Sequence, residues 1–370
     1  MVKEYGYEYD AVLDEELYRR TRDKVTYEKF MGGMCLRSGR DAIKVIAREF
    51  EPTLVLMPAL ACDSMILPFE MYEHDVKYYK LNKDYSINLE SLFSLITKKD
   101  KTILFLYMDY FGNPAITDAE LEKLHIMYPS LVYIEDRTHN LLVKNSRTFK
   151  ADFTVASLRK WIDIPDGGLL WTERELRNSE YSDNLCFSET RLKAQCMRKK
   201  FLTCGDENIK IGYRRIFSTV TDIIDREKLP GLMSRYAYEK ACTTDLNKIN
   251  ILRKKNAEML ISELKGFSFI QEKSGVGDVY VAVLIDDRDV IQQKLASMGI
   301  FCTIIWPLNE KQRSACDVAK YTEEHILTIY CDQRYNVDDI KYVASCIRSV
   351  CNERKKTSPF LNSLPLHTHL

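Results

Sequence analysis

The sequence alternates short β-rich runs with longer segments of helical periodicity, and this pattern constrains the fold more than any other feature. Segments such as DAIKVIAREF (41–50) and DAELEKLHIM (118–127) carry apolar residues at helical spacing. The β-rich runs that they separate are TLVLM (53–57), VKYYK (76–80), TILFLY (102–107), LVYIE (131–135), FTVA (153–156) and GLLW (168–171). Alternation of this kind predicts a mostly parallel sheet covered by helices on both faces. We therefore predict an α/β fold for the first half of the chain.

The second half of the chain has a different pattern. Residues 174–265 are charged and mostly helical, and Pro230-Gly231 precede a long helix that we expect to begin near Ser234. A compact α+β unit is then predicted from VYVAVLI (279–285), DVIQQKLASMG (289–299), FCTII (301–305), ILTIY (326–330) and a last helix from Val337. The 370 residues are enough for two packed domains. We expect a large α/β domain with a helical extension over 1–233, a small C-terminal α+β domain over 234–352, and a disordered tail over 353–370.

Charge and composition exclude several classes of partner. Lys plus Arg and Asp plus Glu number 54 each, so the chain has no electrostatic footprint for nucleic acid or an anionic membrane surface. No apolar run approaches the roughly 20 residues of a membrane helix, and the N-terminus lacks the layout of a secretory signal, so we expect a soluble, cytoplasmic protein. The eleven cysteines are dispersed and form no CxxC, which indicates neither a disulfide framework nor a metal site. A small-molecule ligand fits this composition best.

The segment LRSGRDAI (36–43) is a candidate anion site. It places Ser38 and Gly39 immediately before a helix, where free backbone N–H groups and the positive end of the helix dipole attract anions. The alternative is an ordinary helix cap by Ser38, which by itself is the commoner situation. Arg40 adds a fixed positive charge beside those amides.

Two further segments carry candidate functional groups at strand ends. LVYIEDRTHN (131–140) places Asp136 at the end of a strand and His139 shortly after it, and ASLRKW (156–161) places Ser157 and Lys160 after the strand FTVA. Ligands of open α/β sheets bind beyond the carboxyl ends of the strands, which favours a functional position for these groups. Taken singly, each has a structural alternative: a turn residue for Asp136, a hydrogen-bonded histidine for His139 and a solvated lysine for Lys160.

Together these groups match the needs of pyridoxal phosphate (PLP). The cofactor requires a phosphate holder, a carboxylate that keeps its ring nitrogen protonated, and an amine that forms an imine with its aldehyde. An anion cradle, a carboxylate and a lysine are all predicted at one edge of the sheet. This combination is more specific than any of its parts.

At these residues the sequence resembles the DegT/StrS-type sugar aminotransferases, which are fold type I PLP-dependent enzymes. The resemblance runs from about Gly33 to Arg348 and is most specific in SGRDAI, IEDRTHN, the serine-to-lysine segment and the glycine pair that follows. It implies a large domain with a mostly parallel central sheet and a small C-terminal domain. It also implies that Lys160 forms the Schiff base, that Asp136 contacts the pyridinium nitrogen, and that His139 lies beside the ring hydroxyl. Ser157, Gly39 and Arg40, together with the Ser38 helix start, would hold the phosphate.

The family completes each site with residues of a second subunit, so the resemblance implies a homodimer. IGYRRIF (211–217) resembles the segment that reaches the partner's phosphate, and Arg214 stands where the family usually has asparagine. The sequence departs from the family at three further positions. Cys62 matches an aromatic that stacks on the cofactor, Asp109 matches a histidine, and Arg40 matches a threonine of the cradle. These departures bear on the substrate more than on cofactor binding.

The resemblance implies an aminotransferase that moves an amino group from an amino acid, by resemblance glutamate, to a keto sugar, plausibly nucleotide-linked, in surface polysaccharide or glycoside biosynthesis. Two alternatives keep the cofactor: a PLP-dependent sugar lyase or dehydratase, whose family members tend to lack the lysine, and a PLP-binding or sugar-sensing protein with little catalysis. A third treats the chain as a nucleotide-binding α/β protein. Its only support is GVGDVY (275–280), a weak glycine pair before a strand.

Overall fold

The computed structural model describes residues 2–96, 101–143, 147–270 and 279–357, the last five of these by their backbone only. The strands are β1 Tyr5–Gly6, β2 Lys29–Phe30, β3 Gly33–Leu36, β4 Leu54–Pro58, β5 Asp75–Tyr79, β6 Ile103–Met108, β7 Leu131–Asp136, β8 Phe153–Ala156, β9 Gly168–Trp171, β10 Ser268–Phe269, β11 Val281–Leu284, β12 Ile300–Phe301 and β13 Ile326–Ile329. The α-helices are α1 Glu15–Thr21, α2 Gly39–Arg48, α3 Asp63–Met71, α4 Leu89–Leu95, α5 Asp118–Met127, α6 Cys186–Cys204, α7 Glu207–Thr219, α8 Thr221–Arg226, α9 Arg235–Cys242, α10 Leu246–Glu263, α11 Arg288–Ser297, α12 Glu310–Ala315, α13 Asp317–His325 and α14 Val337–Thr357.

The central sheet has the strand order β2-β3-β9-β8-β7-β6-β4-β5. Strands β8, β7, β6, β4 and β5 run parallel to one another, whereas β9 is antiparallel to both of its neighbours, β8 and β3. Every residue of β6 and β7 is buried, as expected for the middle of a sheet covered on both faces. The predicted α/β fold with a mostly parallel central sheet is confirmed.

The sheet topology brings the candidate residues to one edge. In the parallel block, Asp136 pairs in register with Met108 of β6 and Val155 of β8, so the ends of these strands lie side by side. Because β3 and β8 flank β9 and are both antiparallel to it, the end of β3 lies at the same edge, with Leu36 opposite Gly168. Helix α2 begins directly after β3. The predicted anion cradle, Asp136 and Lys160 therefore meet at the carboxyl edge of the sheet.

A second sheet, β10-β11-β13, lies in the C-terminal part and has its own buried apolar cluster, formed with α10, α11 and α14. The N-terminal strand β1 pairs with β12, so the first residues of the chain pack against this C-terminal part. Helix α14 extends to Thr357, into the predicted tail, and residues 358–370 lie outside the described residues. The domain boundaries at 233 and 352 stay predictions.

Two local predictions are wrong. The long helix expected from Ser234 is interrupted after α9, because Asp245 accepts a hydrogen bond from the Lys248 N–H (2.9 Å) and so starts a new helix, α10. The predicted strand 301–305 is shorter, since only β12 pairs as a strand and Thr303 makes a single bridge to Thr328. Of GVGDVY, residues 275–278 lie outside the described residues.

Among the helices of the described part of the chain, none has the length and apolar character needed to cross a bilayer.

Candidate active site

A cavity of about 570 Å³ opens at the carboxyl edge of the central sheet. Seven of the eight sequence-predicted site residues line it, and Arg214 does not. The lining comprises Ser38, Gly39, Arg40, Ile43, Cys62, Ser64, Met65, Met108, Asp136, Thr138, His139, Ser157, Arg159, Lys160, Thr221, Ile224 and Trp306.

Lys160 ends a short 3-10 helix, Leu158–Lys160, that follows β8. Its carbonyl oxygen accepts a hydrogen bond from Arg253 Nη2 (3.1 Å), which holds the backbone in place. No hydrogen bond or ion pair reaches Lys160 Nζ from the residues that the structure describes. Burial lowers the pKa of the Lys160 ammonium, and the charge of Arg159 lowers it further. Both effects favour the neutral amine, which is the nucleophilic form.

Asp136 closes β7, and its carboxylate is buried. Asp136 Oδ1 accepts a hydrogen bond from the Thr138 N–H (2.7 Å), while Thr138 Oγ1 accepts one from the Ser157 N–H (3.1 Å). Burial raises the pKa of Asp136, against the opposing effects of Thr138 and of the charge on Lys160. A cation placed beside this carboxylate would favour its ionised form.

His139 offers a hydrogen-bond donor without a partner. Its Nδ1 accepts a hydrogen bond from the Phe111 N–H (3.3 Å), so Nε2 carries the proton of the neutral ring. Nε2 is buried and has no hydrogen-bond partner in the described part of the chain. Burial, together with the charge on Lys160, lowers the pKa of His139 well below its usual range. The ring stacks on Trp306, with centroids 5.5 Å apart and planes 19° apart.

At the start of α2 the helix cap by Ser38 is present, and the anion site stays a prediction. The Ser38 hydroxyl caps the helix by accepting from the Asp41 N–H (3.1 Å), and it donates to Asp41 Oδ2 (2.6 Å), so this side chain is already engaged. The first N–H groups of a helix have no partner within the helix. A Cβ at Gly39 would lie 3.3 Å from Ser157 Cβ, so glycine preserves the space between them. Arg40 pairs with Asp225 of α8, while its buried Nε has no hydrogen-bond partner among the described residues.

Arg214, the remaining predicted site residue, lies outside this cavity. Its Nη2 is 3.6 Å from Glu4 Oε1, and its guanidinium lies 4.4 Å from the centroid of the Phe301 ring. Its predicted role at the site of a partner subunit stays a prediction.

Of the residues at which the sequence departs from the family pattern, some line the cavity and others do not. Cys62 lines the cavity, with its Sγ 3.1 Å from Ser64 Oγ. Asp109 does not line it: its carboxylate accepts from Arg147 Nη2 (2.7 Å) and from the Ala115 N–H (2.9 Å), which makes it part of a buried network.

Several residues that line the cavity were not predicted as site residues from the sequence, among them Trp306, Arg159, Thr221 and Ile224. In the sequence, Trp306 lies in the apolar run IIWPL (304–308) and looks like a core residue, and Arg159 is simply the basic residue before Lys160. Thr221 and Ile224 of α8 carried no local signal at all. All of them reach the cavity through tertiary contacts.

The residues present fit PLP. Within the described part of the chain, the cavity offers an amine without a partner at Lys160, a buried carboxylate at Asp136, a free N–H donor at His139 Nε2 and, beside the start of α2, the guanidinium of Arg40, whose Nε has no hydrogen-bond partner. These are the donors and acceptors that an aldehyde, a pyridinium, a ring oxygen and a phosphate require.

The fold and the cavity define the chain as an open-sheet α/β protein with a cavity beyond the carboxyl ends of its strands, where ligands of such sheets bind. No protein-family model matches the sequence, and no curated protein matches it. Solved structures do match. Helicobacter pylori PseC, an aminotransferase involved in the biosynthesis of pseudoaminic acid, is 14% identical over 95% of this chain and 100% of its own, with a TM-score of 0.64.

Two further solved structures cover nearly the whole chain. DesV of S. venezuelae is 16% identical over 91% of this chain and 89% of its own, with a TM-score of 0.59. The E. coli GDP-4-keto-6-deoxy-D-mannose-3-dehydratase, solved with bound hydrated PLP, is 17% identical over 93% and 100%, with a TM-score of 0.60. The chain therefore has the fold of the DegT/StrS-type sugar aminotransferases, fold type I of the PLP-dependent enzymes. At these identities the likeness establishes the fold, and function is a separate question.

Proposed function

We propose that this chain is a PLP-dependent aminotransferase that moves an amino group from an amino acid, by resemblance glutamate, to a nucleotide-linked keto sugar in surface polysaccharide or glycoside biosynthesis. The observation that carries the proposal is that Lys160, whose amine has no partner among the described residues, lines the same cavity as the buried carboxylate of Asp136. The fold shared with PseC and DesV supports it.

In this proposal each residue has a distinct task. PLP, when bound, supplies an electron sink for negative charge that develops at the substrate Cα. Asp136 would hold the ring nitrogen in its protonated form through charge attraction, and His139 would donate its Nε2–H to a ring oxygen. Gly39, Arg40 and Ser157 would bind the phosphate. The Lys160 amine, whose neutral form is favoured by its environment, would take a proton from the substrate Cα and return it during transfer.

A homodimer and a cytoplasmic location complete the proposal. The homodimer follows from the resemblance, in which Arg214 serves the partner's cofactor. The cytoplasmic location follows from the sequence composition. Small-molecule substrates, an amino donor and a keto sugar, suit a concave site with a few convergent polar groups.

Lys160→Ala tests the proposal directly. Wild-type protein loaded with PLP is expected to show an absorbance band that borohydride abolishes. Borohydride reduction should leave the cofactor covalently attached, as a label, to the peptide that contains Lys160. The variant should lose both band and label, because no other amine lies in the described lining of the cavity, and amino transfer should fall by about 10² to 10⁴-fold. Lys193→Ala, at an exposed lysine of α6, is the matched control. A label on another lysine, or full turnover in Lys160→Ala, would refute the assignment.

A further inference from the structure

A second cavity, of about 1000 Å³, adjoins the first. Lys160 and Arg159 line both cavities, so these two residues stand at their junction. The second cavity is bounded by the N-terminal segment at Glu8 and by tyrosines of the C-terminal part, among them Tyr280 and Tyr330. An amine that is to act on a substrate needs such an opening beside it, since the first cavity has to accommodate the cofactor.

Arg159 has hydrogen-bonding capacity to spare at this junction. Its Nε is buried with no hydrogen-bond partner among residues that the structure describes. Its Nη1 approaches Glu8 Oε1 only to 4.0 Å, which is too long for a hydrogen bond. Glu8 is in any case engaged elsewhere, because Arg191 donates to both of its oxygens, at 3.2 and 2.7 Å. The positive charge of Arg159 is therefore only weakly compensated.

The other arginine of this cavity is in the opposite situation. Arg253 donates to Gln333 Oε1 (3.0 Å), to the Val279 carbonyl (3.2 Å) and to the Lys160 carbonyl (3.1 Å), and it stacks on the Trp161 ring. Its guanidinium therefore has a structural task, which is to hold the backbone of Lys160.

Arg159 remains a cation at neutral pH. Burial, and then repulsion by Arg191, lower the pKa of Arg159 to about 10. Burial raises the pKa of Glu8, but Arg191 and Arg159 outweigh this effect and lower it to about 2, so Glu8 stays ionised as well. Among the described residues, the lining of the second cavity thus carries the two guanidinium groups of Arg159 and Arg253 against the single carboxylate of Glu8.

We infer that Arg159 binds an oxyanion of the substrate, a carboxylate or a phosphate, in the second cavity beside the Lys160 amine. A guanidinium presents a planar fork of N–H donors that matches these anions. The inference rests on the proposed function, which offers two sources of the anion. One is a carboxylate of the amino donor, and the other is the diphosphate of a nucleotide-linked acceptor.

Calorimetric titration with two unreactive probes tests the inference. Glutarate represents the amino donor and UDP the acceptor, and both are titrated into the full chain with and without PLP. Arg159→Gln is expected to weaken the binding of at least one probe by about 10- to 100-fold, because it removes a charge-assisted hydrogen bond from a buried site. Arg159→Lys should restore part of the affinity. Arg22→Gln, at an arginine that is 62% exposed, is the control for loss of one positive charge.

Glu8→Gln is expected to change the affinity for the probes in the direction opposite to Arg159→Gln. It removes the carboxylate that faces Arg159, so it should tighten the binding of the same probe. Thermal unfolding of each variant identifies any change caused by misfolding.

The pattern across probes identifies the source of the anion. A loss confined to glutarate assigns the site to the donor, a loss confined to UDP assigns it to the acceptor, and a loss of both means that the two bind in turn. Unchanged affinities in Arg159→Gln, or no binding of either probe to the wild-type chain, overturn the inference. These titrations do not depend on PLP, so a chain that fails to bind PLP but loses glutarate in Arg159→Gln would retain the oxyanion site and lose the proposed function.

Discussion

Two lysines near the cavity, Lys44, which is buried, and Lys160, which is partly buried, show how local pairing separates a structural residue from a reactive one. Lys44 Nζ donates to the Ile224 carbonyl (2.6 Å) and to the Glu227 carbonyl, which ties α2 to the segment that contains α8. Lys160 Nζ has no such partner in the described part of the chain. Burial lowers the pKa of both lysines, that of Lys44 to about 8. Only Lys160 combines a lowered pKa with an open cavity, so only Lys160 is placed for chemistry.

Asp166 gives a prediction about pH at the residue scale. It is fully buried, and it accepts from the Ser234 N–H (2.7 Å) and the Ser234 hydroxyl (2.5 Å). Burial raises the pKa of Asp166 to about 6, against the hydrogen bonds from Ser234. The pKa of Asp166 in the folded protein exceeds the unfolded value of about 3.9. Asp166 therefore contributes to the free energy of unfolding at low pH, and this contribution, of up to about 3 kcal/mol, is lost as the pH rises through 6.

Asp166→Asn should remove this dependence, since an amide keeps hydrogen bonds to Ser234 but does not ionise. Urea unfolding at pH 4.5 and pH 7.5 measures this dependence. The free energy of unfolding of the variant minus that of the wild type should be larger at pH 7.5 than at pH 4.5. Asp163→Asn, at a side chain that is 43% exposed, is the control. A stability difference from wild type that is the same at both pH values would contradict the shifted pKa.

At the scale of elements, the cradle depends on how closely β9 approaches the start of α2. A Cβ at Gly168 would lie 2.1 Å from the carbonyl carbon and oxygen of Ser38, so only glycine permits this contact. The preceding Gly167 has φ of 147°, in the region that favours glycine, and its N–H donates to the Arg37 carbonyl (2.8 Å). The glycine pair thereby sets the distance between the start of α2, where the anion cradle is predicted, and the turn that follows Lys160.

Gly168→Ala should therefore destabilise the protein and displace the start of α2. We expect a loss of about 1–3 kcal/mol or more in the free energy of unfolding, because backbone atoms cannot move aside as a side chain can. Gly212→Ala in α7 is the matched substitution: its Cβ would meet only the flexible end of Met197, and the gain in helix propensity of about 1 kcal/mol offsets the contact. Equal urea midpoints for the two variants would show that the approach of β9 is not critical.

At the scale of the whole molecule, the cavity is assembled from distant parts of the chain. The sheet edge supplies Asp136 and Lys160, α8 supplies Ile224, and the C-terminal part supplies Trp306. The second cavity adds Glu8 from the N-terminal segment, which β1 anchors to the C-terminal part through β12. Structural changes in any of these parts should therefore alter the surroundings of Lys160.

Arg214→Ala tests the proposed dimer. If Arg214 serves the partner's cofactor, the variant should retain PLP about tenfold less tightly, because a charge-assisted contact to the phosphate is lost, while sedimentation and thermal unfolding stay as in wild type. Equilibrium dialysis of PLP measures the effect. Arg215→Ala, at the exposed neighbour in α7, should leave retention unchanged. Equal PLP retention in the two variants, or a wild type that sediments as a monomer and still retains PLP, would contradict the shared site.

The central sheet could be predicted well because its strands are short, apolar and separated by periodic helices, as β6 and β7 illustrate. The positions of Asp136 and Lys160 followed from the same logic, since parallel strands share a carboxyl edge. The break between α9 and α10 was missed, because a cap at Asp245 competes with helix continuation over only a few residues. Trp306 was missed for a different reason: an aromatic residue in an apolar run looks the same whether it borders a cavity or fills a core.

The sequence by itself determined the order of strands and helices, and with it the edge at which Gly39, Asp136 and Lys160 meet, because these depend on local periodicity and on the shared direction of parallel strands. Only the tertiary structure decided which charged groups keep their hydrogen-bonding capacity. Lys44 and Arg253 are engaged by carbonyls far away in the chain, whereas Lys160 and Arg159 face open space between segments. Pairing of this kind depends on long-range packing, which no local pattern in the sequence encodes.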